Sequence, residues 1–205
     1  MCGISGGIGA SAPSKQLLDA QLKSIEHRGP DDKGTYLNQE ISLGMCRLAI
    51  VEIAAGKQPA SDKSGKIHIV WNGEIYNYKE LRSELEQRGI HCRDSSESEV
   101  VINLYIEFGL DFVNKLNGMF AIAIWDRWEQ RLYLARDRYG IKPLYISKQG
   151  TNLAFASEQR ALITLRDFQK KLDFGGIFEY LSFQNILTNR TMNQDIQLFP
   201  PAHFA

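Results

Sequence analysis

The chain has 205 residues, of which 43% are hydrophobic and 23% charged, so it carries enough apolar surface to build one sizeable core. Its 24 Lys and Arg balance 24 Asp and Glu, which gives a formal net charge of zero. Nucleic acids and anionic membranes attract basic surfaces, so we expect neither as a partner. The composition predicts one domain over residues 1–205 with a small neutral or zwitterionic ligand.

The sequence contains no pattern typical of a membrane segment or a metal site. Apolar runs such as MFAIAIW at 119–125 are far shorter than a bilayer span, and no basic segment leads into an apolar one at the start. The three cysteines, Cys2, Cys46 and Cys92, are odd in number and lack C-x-x-C spacing. We therefore expect a cytoplasmic protein with reduced thiols and no metal.

Hydrophobic periodicity and turn residues predict alternating strands and helices in the first half of the chain. Strands are expected near 2–9, 34–38, 42–51 and 67–72, and helices over 14–28, 78–88 and 97–108. In the second half, apolar runs at 117–126, 131–137, 143–147 and 153–157 predict an antiparallel meander, followed by a helix near 175–182. This mixed order favours an α+β fold.

The N-terminal glycines imitate a nucleotide-binding loop. GIGASA at 7–12 matches G-x-G-x-x-A between a predicted strand and a predicted helix. That helix leads into the polar loop HRGPDD, where a dinucleotide-binding unit needs a second buried strand that ends in an acid. We predict no nucleotide site here.

Cys2 has two interpretations on position alone. A cysteine is often a small buried apolar residue, and this is the ordinary expectation. If Met1 is removed, however, one residue carries both a thiol and a free α-amine, whose ordinary pKa is about 8. An N-terminal amine is a recognised base for activating such a nucleophile.

The segment WNGEIYNYKELR at 71–82 offers a second chemical feature. Asn72 and Gly73 lie near a predicted strand end, where an amide side chain and an unhindered backbone N–H can donate to one oxygen. Such a pair forms an oxyanion hole for acyl transfer. The alternative is that the Asn-Gly pair makes a tight hairpin turn.

Several ordered blocks together resemble the glutaminase domain of glutamine-dependent asparagine synthetases. The blocks are MCGISGGIG, HRGPDD at 27–32, RLAIVE at 47–52, NGEIYNY at 72–78, GMFAIAIWD at 118–126, RDRYGIKPLY at 136–145 and FASEQRAL at 155–162. The resemblance covers essentially the whole chain. It implies an N-terminal-nucleophile hydrolase fold, in which two antiparallel sheets pack between helical layers.

The resemblance also implies roles for single residues. Cys2 would be the attacking thiolate with its freed amine as proton acceptor, and Asn72 with Gly73 would form the oxyanion hole. Arg47 would bind the glutamine α-carboxylate, which suits a planar guanidinium with two parallel donors. Glu74 would bind the substrate ammonium. The alternative for Arg47 is a solvent-facing strand residue, and the alternative for Glu74 is a solvated acid.

Glu97 is a departure from the family pattern. The family places Asp in its S-D-x-E-V segment, whereas this chain reads SSESEV and has Glu97 three residues before Val100. The resemblance assigns ammonium binding to Glu97, and an acid that begins a helix is equally favoured by the helix dipole. His27 and Arg28 are expected to support the pocket without a chemical step.

The main hypothesis is a glutaminase that releases glutamate and ammonia and needs no cofactor. The resembling proteins continue into a synthetase domain, which would use ATP and Mg and receive the ammonia. Because LFPPAHFA resembles the junction with that domain, we expect a synthetase domain or subunit as partner, and a homodimer is possible. The alternative is a non-catalytic glutamine-binding or docking module that regulates a synthetase.

Overall fold

A computed structural model describes residues 1–9, 14–48, 56–164 and 169–205. The ten strands within these ranges are β1 Gly3–Ile8, β2 Asp32–Leu37, β3 Ile41–Arg47, β4 Ala60–Ser61, β5 Ile67–Ile75, β6 Gly118–Asp126, β7 Arg131–Arg136, β8 Tyr145–Gln149, β9 Asn152–Ala156 and β10 Gln197–Leu198. The six α-helices of the same described residues are α1 Lys15–Ser24, α2 Tyr78–Gln87, α3 Glu97–Phe108, α4 Phe112–Lys115, α5 Gln159–Ile163 and α6 Phe174–Phe183. The sequence patterns do not predict β4, β10, α4 or α5, which are all short.

The strands form two antiparallel sheets. One has the order β10-β8-β9-β1-β3-β2 and the other β4-β5-β6-β7. Helices α1 and α5 pack on the six-stranded sheet, and α3 packs on the four-stranded sheet with α2 and α4 beside it. The expected arrangement of two sheets between helical layers is therefore confirmed.

The core between the sheets fixes the position of β1. Ile4 is completely buried there, and β1 pairs with β3 on one side and β9 on the other. The side chains that fill this layer are apolar on both sheets, namely Ile4, Ile41, Leu43, Met45, Val70, Ala121, Ala123, Trp125, Leu134, Leu144, Phe155 and Phe199. A strand held on both edges and by this core has little freedom to shift.

The helices follow the periodicity that predicts them. Leu18, Leu22 and Ile25 recur on one side of α1 and are fully buried against the six-stranded sheet. The helix begins at the Ser14 cap, whose side chain accepts from the Leu17 N–H. It ends earlier than expected, and a short 3₁₀ turn over Glu26–Arg28 follows it. None of the helices in the described ranges is long and apolar enough to cross a membrane.

The expectation of one continuous meander over 117–157 is wrong. Strands β6 and β7 form a hairpin in the four-stranded sheet, whereas β8 and β9 form one in the six-stranded sheet. The crossover between them is built around buried Asp137, whose carboxylate accepts hydrogen bonds from the backbone N–H groups of Tyr139, Ile141 and Lys142. This carboxylate organises a loop that carries the chain from one sheet to the other.

Two further expectations fall partly outside the described residues. The strand expected over 42–51 is observed as Ile41–Arg47, and 49–51 are not described. Likewise, residues 10–12 of GIGASA are not described, while Gly7 and Ile8 lie in β1.

We predict that Ile4→Ala lowers the free energy of unfolding by about 2–5 kcal/mol, because it leaves a cavity between the two sheets. Urea unfolding followed by circular dichroism measures the change. Ile106→Ala is the matched control, since Ile106 is 52% exposed on α3. The control is expected to stay within about 0.5 kcal/mol of the wild type. Equal losses in the two variants would contradict the placement of β1 in the core.

Candidate active site

A cleft opens where Cys2, just before β1, meets the end of β3 and the last part of β5. It has a volume of about 240 Å³. All six residues that the sequence nominates line it, namely Cys2, Arg47, Asn72, Gly73, Glu74 and Glu97. The structure thus brings together side chains that are up to 95 positions apart in the sequence.

Cys2 is the residue immediately before β1, and its side chain is partly buried. The backbone N–H of Leu48 points at its Sγ over 3.5 Å, and the Leu48 carbonyl lies 3.8 Å from the same sulfur. These two backbone contacts hold the sulfur beside Leu48 at the edge of the cleft. The simple interpretation of Cys2 as a fully buried apolar residue does not describe this position.

Asn72 and Gly73 lie inside β5, not in a hairpin turn. They pair with Ala121 and Phe120 of β6, so the tight-turn interpretation of the Asn-Gly pair is wrong. A Cβ on residue 73 would lie 2.0 Å from the Met119 carbonyl oxygen, which requires glycine at this position. The strand can therefore pass close to its neighbour and still border the cleft.

The amide of Asn72 is the unusual polar group of the site. Asn72 is 2% exposed, and its Nδ2 has no hydrogen-bond partner within the described part of the chain. Leaving a buried donor unsatisfied costs about 1–3 kcal/mol, so such atoms are rare in native proteins. A donor kept in this state beside a cleft is suited to a ligand oxygen.

The three charged residues that the sequence nominates come from three different elements. Arg47 is the last residue of β3 and is 8% exposed. Glu74 is an exposed residue of β5, and Glu97 begins α3, where its Oε2 accepts a hydrogen bond of 3.1 Å from the Ile75 N–H. That bond fixes the carboxylate against the end of β5. One guanidinium and two carboxylates are complementary to a zwitterionic ligand.

Lys142 is a cleft residue to which the sequence analysis assigns no role. It is 5% exposed, and its Nζ lies 3.6 Å from the Met1 sulfur. The buried Arg136 side chain helps to hold it, because Arg136 Nε donates to the Lys142 carbonyl over 2.8 Å. Lys142 belongs to the block RDRYGIKPLY, which is part of the family resemblance. Only the crossover from one sheet to the other shows that this lysine reaches the cleft.

His27 and Arg28 lie behind Cys2 and are not cleft residues. Arg28 Nε donates to the Cys2 carbonyl over 3.0 Å, and Arg28 Nη1 donates to Glu158 Oε1 over 3.0 Å. The His27 Nε2 lies 2.9 Å from the same carboxylate oxygen. Glu158 thus orients the guanidinium that holds the Cys2 carbonyl.

Comparison with known sequences shows the family to which this chain belongs. The sequence model described as "Glutamine amidotransferase domain" matches residues 1–205. The chain belongs to the glutamine amidotransferase domain family. The cleft around Cys2 therefore lies in a glutamine amidotransferase domain.

Named relatives of this amidotransferase domain are asparagine synthetases. The protein called "Asparagine synthetase [glutamine-hydrolyzing] 3" of Bacillus subtilis is 36% identical over 209 residues, which is 99% of this chain and 34% of that protein. The protein numbered 2 in the same organism is 39% identical over 169 residues, covering 80% of this chain and 22% of that protein. The chain therefore spans about a third or less of these relatives.

Solved structures confirm the fold. A glutamine phosphoribosylpyrophosphate amidotransferase from Bacillus subtilis superposes with a TM-score of 0.68 at 24% identity, over 80% of this chain and 43% of that one. The expected N-terminal-nucleophile hydrolase fold is correct. At this identity the likeness concerns the fold alone.

We predict that Glu158→Gln destabilises the domain near neutral pH and that the loss shrinks in acid. Burial raises the pKa of Glu158, but hydrogen bonds and charges from Arg28 and His27 outweigh it and hold the pKa below its usual 4.5. The stability from this ionised group is present above pH 4.5 and is lost as the pH falls through the lowered pKa of the folded state. Urea unfolding from pH 7 downward measures the difference.

The control for this prediction is Glu107→Gln, which removes a surface partner of Arg88. Its effect should be small at every pH, since exposed ion pairs contribute little. A loss in Glu158→Gln that stays constant down to the lowest pH would contradict the ion-pair explanation.

Proposed function

We propose that this domain hydrolyses the side-chain amide of glutamine to glutamate and ammonia, with Cys2 as nucleophile. The observation that carries the proposal is the convergence in one cleft of Cys2, Arg47, Glu97 and the Asn72 Nδ2, which has no hydrogen-bond partner among the described residues. A thiol, an oxyanion donor and a set of charges for an amino acid are what this reaction requires.

The reaction begins at the first residue once Met1 has been removed. The α-amine of Cys2 takes the thiol proton, and Sγ attacks the amide carbon of the substrate. The amine then returns the proton to the leaving nitrogen, so that the C–N bond breaks, ammonia departs and a glutamyl thioester remains. Water attacks the thioester carbon, its proton passes back to the sulfur through the amine, and glutamate is released.

Asn72 and Gly73 stabilise the negative oxygen that develops in both steps. The Asn72 Nδ2 and the Gly73 N–H supply the two donors. Because Asn72 is buried and held in β5, its amide needs no reorganisation when the charge develops, which is the condition for a large electrostatic effect.

The charged residues of the cleft orient the substrate. Arg47 binds the α-carboxylate through its guanidinium fork, and Glu74 and Glu97 bind the α-ammonium. The Ile75 N–H occupies one oxygen of Glu97, so the longer side chain is held in place by the end of β5. This contact explains how Glu at position 97 can serve where the family pattern has Asp.

The ammonia passes to a synthetase portion of the kind that the asparagine synthetase relatives' names imply. We propose that ATP and Mg belong to that portion and that this domain needs no cofactor. Asparagine formation is the favoured amidotransfer reaction.

The three unpaired thiols of this chain suit the reducing cytoplasm, where we place the protein.

One observation favours the alternative of a non-catalytic glutamine-binding or docking module. Met1 lines the cleft with its sulfur against Lys142, and while it is present the nitrogen of Cys2 is an amide without basicity. A chain that retained Met1 would bind glutamine without hydrolysing it.

We predict that Cys2→Ala abolishes glutamate release from glutamine, because no thioester can form. Glutamate is measured by a coupled dehydrogenase assay on the purified chain. Cys92→Ala is the control, since that thiol contacts Asn103 on α3 and lies outside the cleft. Glutamate release by Cys2→Ala at the wild-type rate would eliminate the covalent mechanism.

We predict that Asn72→Ala lowers kcat on the order of 100- to 1,000-fold, with little change in the KM for glutamine, because the amide acts in the transition state. Steady-state kinetics separate the two constants. Asn103→Ala removes a partly buried amide outside the cleft and should leave kcat unchanged. A rise in KM without a fall in kcat would assign Asn72 to substrate binding instead.

A further inference from the structure

Helix α6 exposes its apolar residues to an unusual degree. Phe174 is 75% exposed, Phe178 71% and Leu181 75%, and Gly176 is the only buried residue of the helix. A helix on the surface of a globular protein ordinarily turns such residues inward. In α6 this orientation is reversed.

The reversal has a cause in the sequence, because a glycine occupies the inward side. A Cβ on residue 176 would lie 2.3 Å from the Thr191 carbonyl oxygen. The helix therefore rests closely on the backbone at Thr191 through Gly176. Phe174, Phe178 and Leu181 recur at i, i+4 and i+7 on the opposite side, which we name the α6 face.

The α6 face is held in a defined position. Asp173 caps the helix by accepting from the Gly176 N–H, and it pairs with Arg190 over 3.0 Å. The only acid in the helix, Glu179, accepts hydrogen bonds from the backbone N–H groups of Leu187 and Thr188. Neither acid brings polarity to the α6 face, so the apolar side chains are presented on a fixed support.

The size of the α6 face fits a binding surface. With about 200 Å² for each fully exposed large side chain, the three residues alone expose roughly 400 Å². The largest apolar patch on a typical monomer is about 300–600 Å² and is often functional, and the α6 face lies in this range. Phe183 and Leu187, which are 60% and 66% exposed, are two further exposed apolar residues at and after the end of the helix.

We propose that the α6 face is the docking surface for the ammonia-consuming synthetase portion, an inference that rests on the proposed function. The relatives named as asparagine synthetases have about two-thirds of their length outside the region that matches this chain. That additional chain must pack on the amidotransferase domain closely enough to receive ammonia. An apolar helix face on a fixed support provides such a contact, and a contact of this composition is typical of permanent interfaces.

The test uses a chimera in which this chain replaces the matching segment of the Bacillus subtilis asparagine synthetase 3. Phe178→Cys is introduced into the chimera and into the 205-residue chain, and maleimide labelling at position 178 is read by peptide mass spectrometry. Labelling should be at least about tenfold slower in the chimera, because an interface core excludes solvent and reagent. Trp128→Cys is the matched control, since Trp128 is also 71% exposed and lies on the β6–β7 turn. It should label equally fast in both proteins.

A second arm separates this proposal from the glutaminase assignment. In the chimera, Phe178→Asp with Leu181→Asp should lower amide product formed from glutamine at least about fivefold, because the charges disrupt the docked face. Glutamate release and product formed from added ammonia should remain. Loss of glutamate release in the unmutated chimera would count against the proposed function and not against docking.

Two results would overturn the docking proposal. One is labelling at position 178 that is equally fast in the chimera and the isolated chain. The other is protection in the isolated chain that grows with protein concentration, which would assign the α6 face to a second copy of this chain.

Discussion

The position of Cys2 at the head of β1 is the constraint on which the candidate site depends. The strand is paired on both edges, with Ile4 locked between the sheets and the Cys2 carbonyl held by Arg28. These contacts hold Cys2 at the cleft. Residues so close to the start of a chain are ordinarily among the least ordered in a protein, but the direction of Cys2 is fixed.

The other nominated residues of the cleft come from both sheets and one helix. The end of β3 supplies Arg47, β5 supplies Asn72 and Gly73, and the first turn of α3 supplies Glu97. The two sheets pack face to face through an apolar core, and groups from each meet at one end of that core, where Arg47 is only 8% exposed. The scaffold thus separates stability, which lies in the core, from the polar groups at its edge.

The sequence predicts those parts of the molecule whose information is local or is carried by a motif. The bounds of α3, with its Ser96 cap and Gly109 stop, agree with periodicity and capping, and the six nominated site residues all reach the cleft. The assignment of hairpins to sheets was not predictable, because it depends on the loop that Asp137 organises through long-range packing. The role of Glu158 is hidden for the same reason, since its partners His27 and Arg28 are some 130 positions away. Helix α6 was predicted as a helix, but its reversed orientation follows from what Gly176 contacts.

The central claim is that a thiol and an amine of one residue act together in the cleft. The most direct measurement compares two preparations of the chain, one released from a leader so that Cys2 is its first residue and one that retains Met1. Intact mass verifies the two N-termini, and glutamate release from glutamine is then followed in both. The account predicts hydrolysis only when the Cys2 amine is free. Equal rates in the two preparations would contradict it.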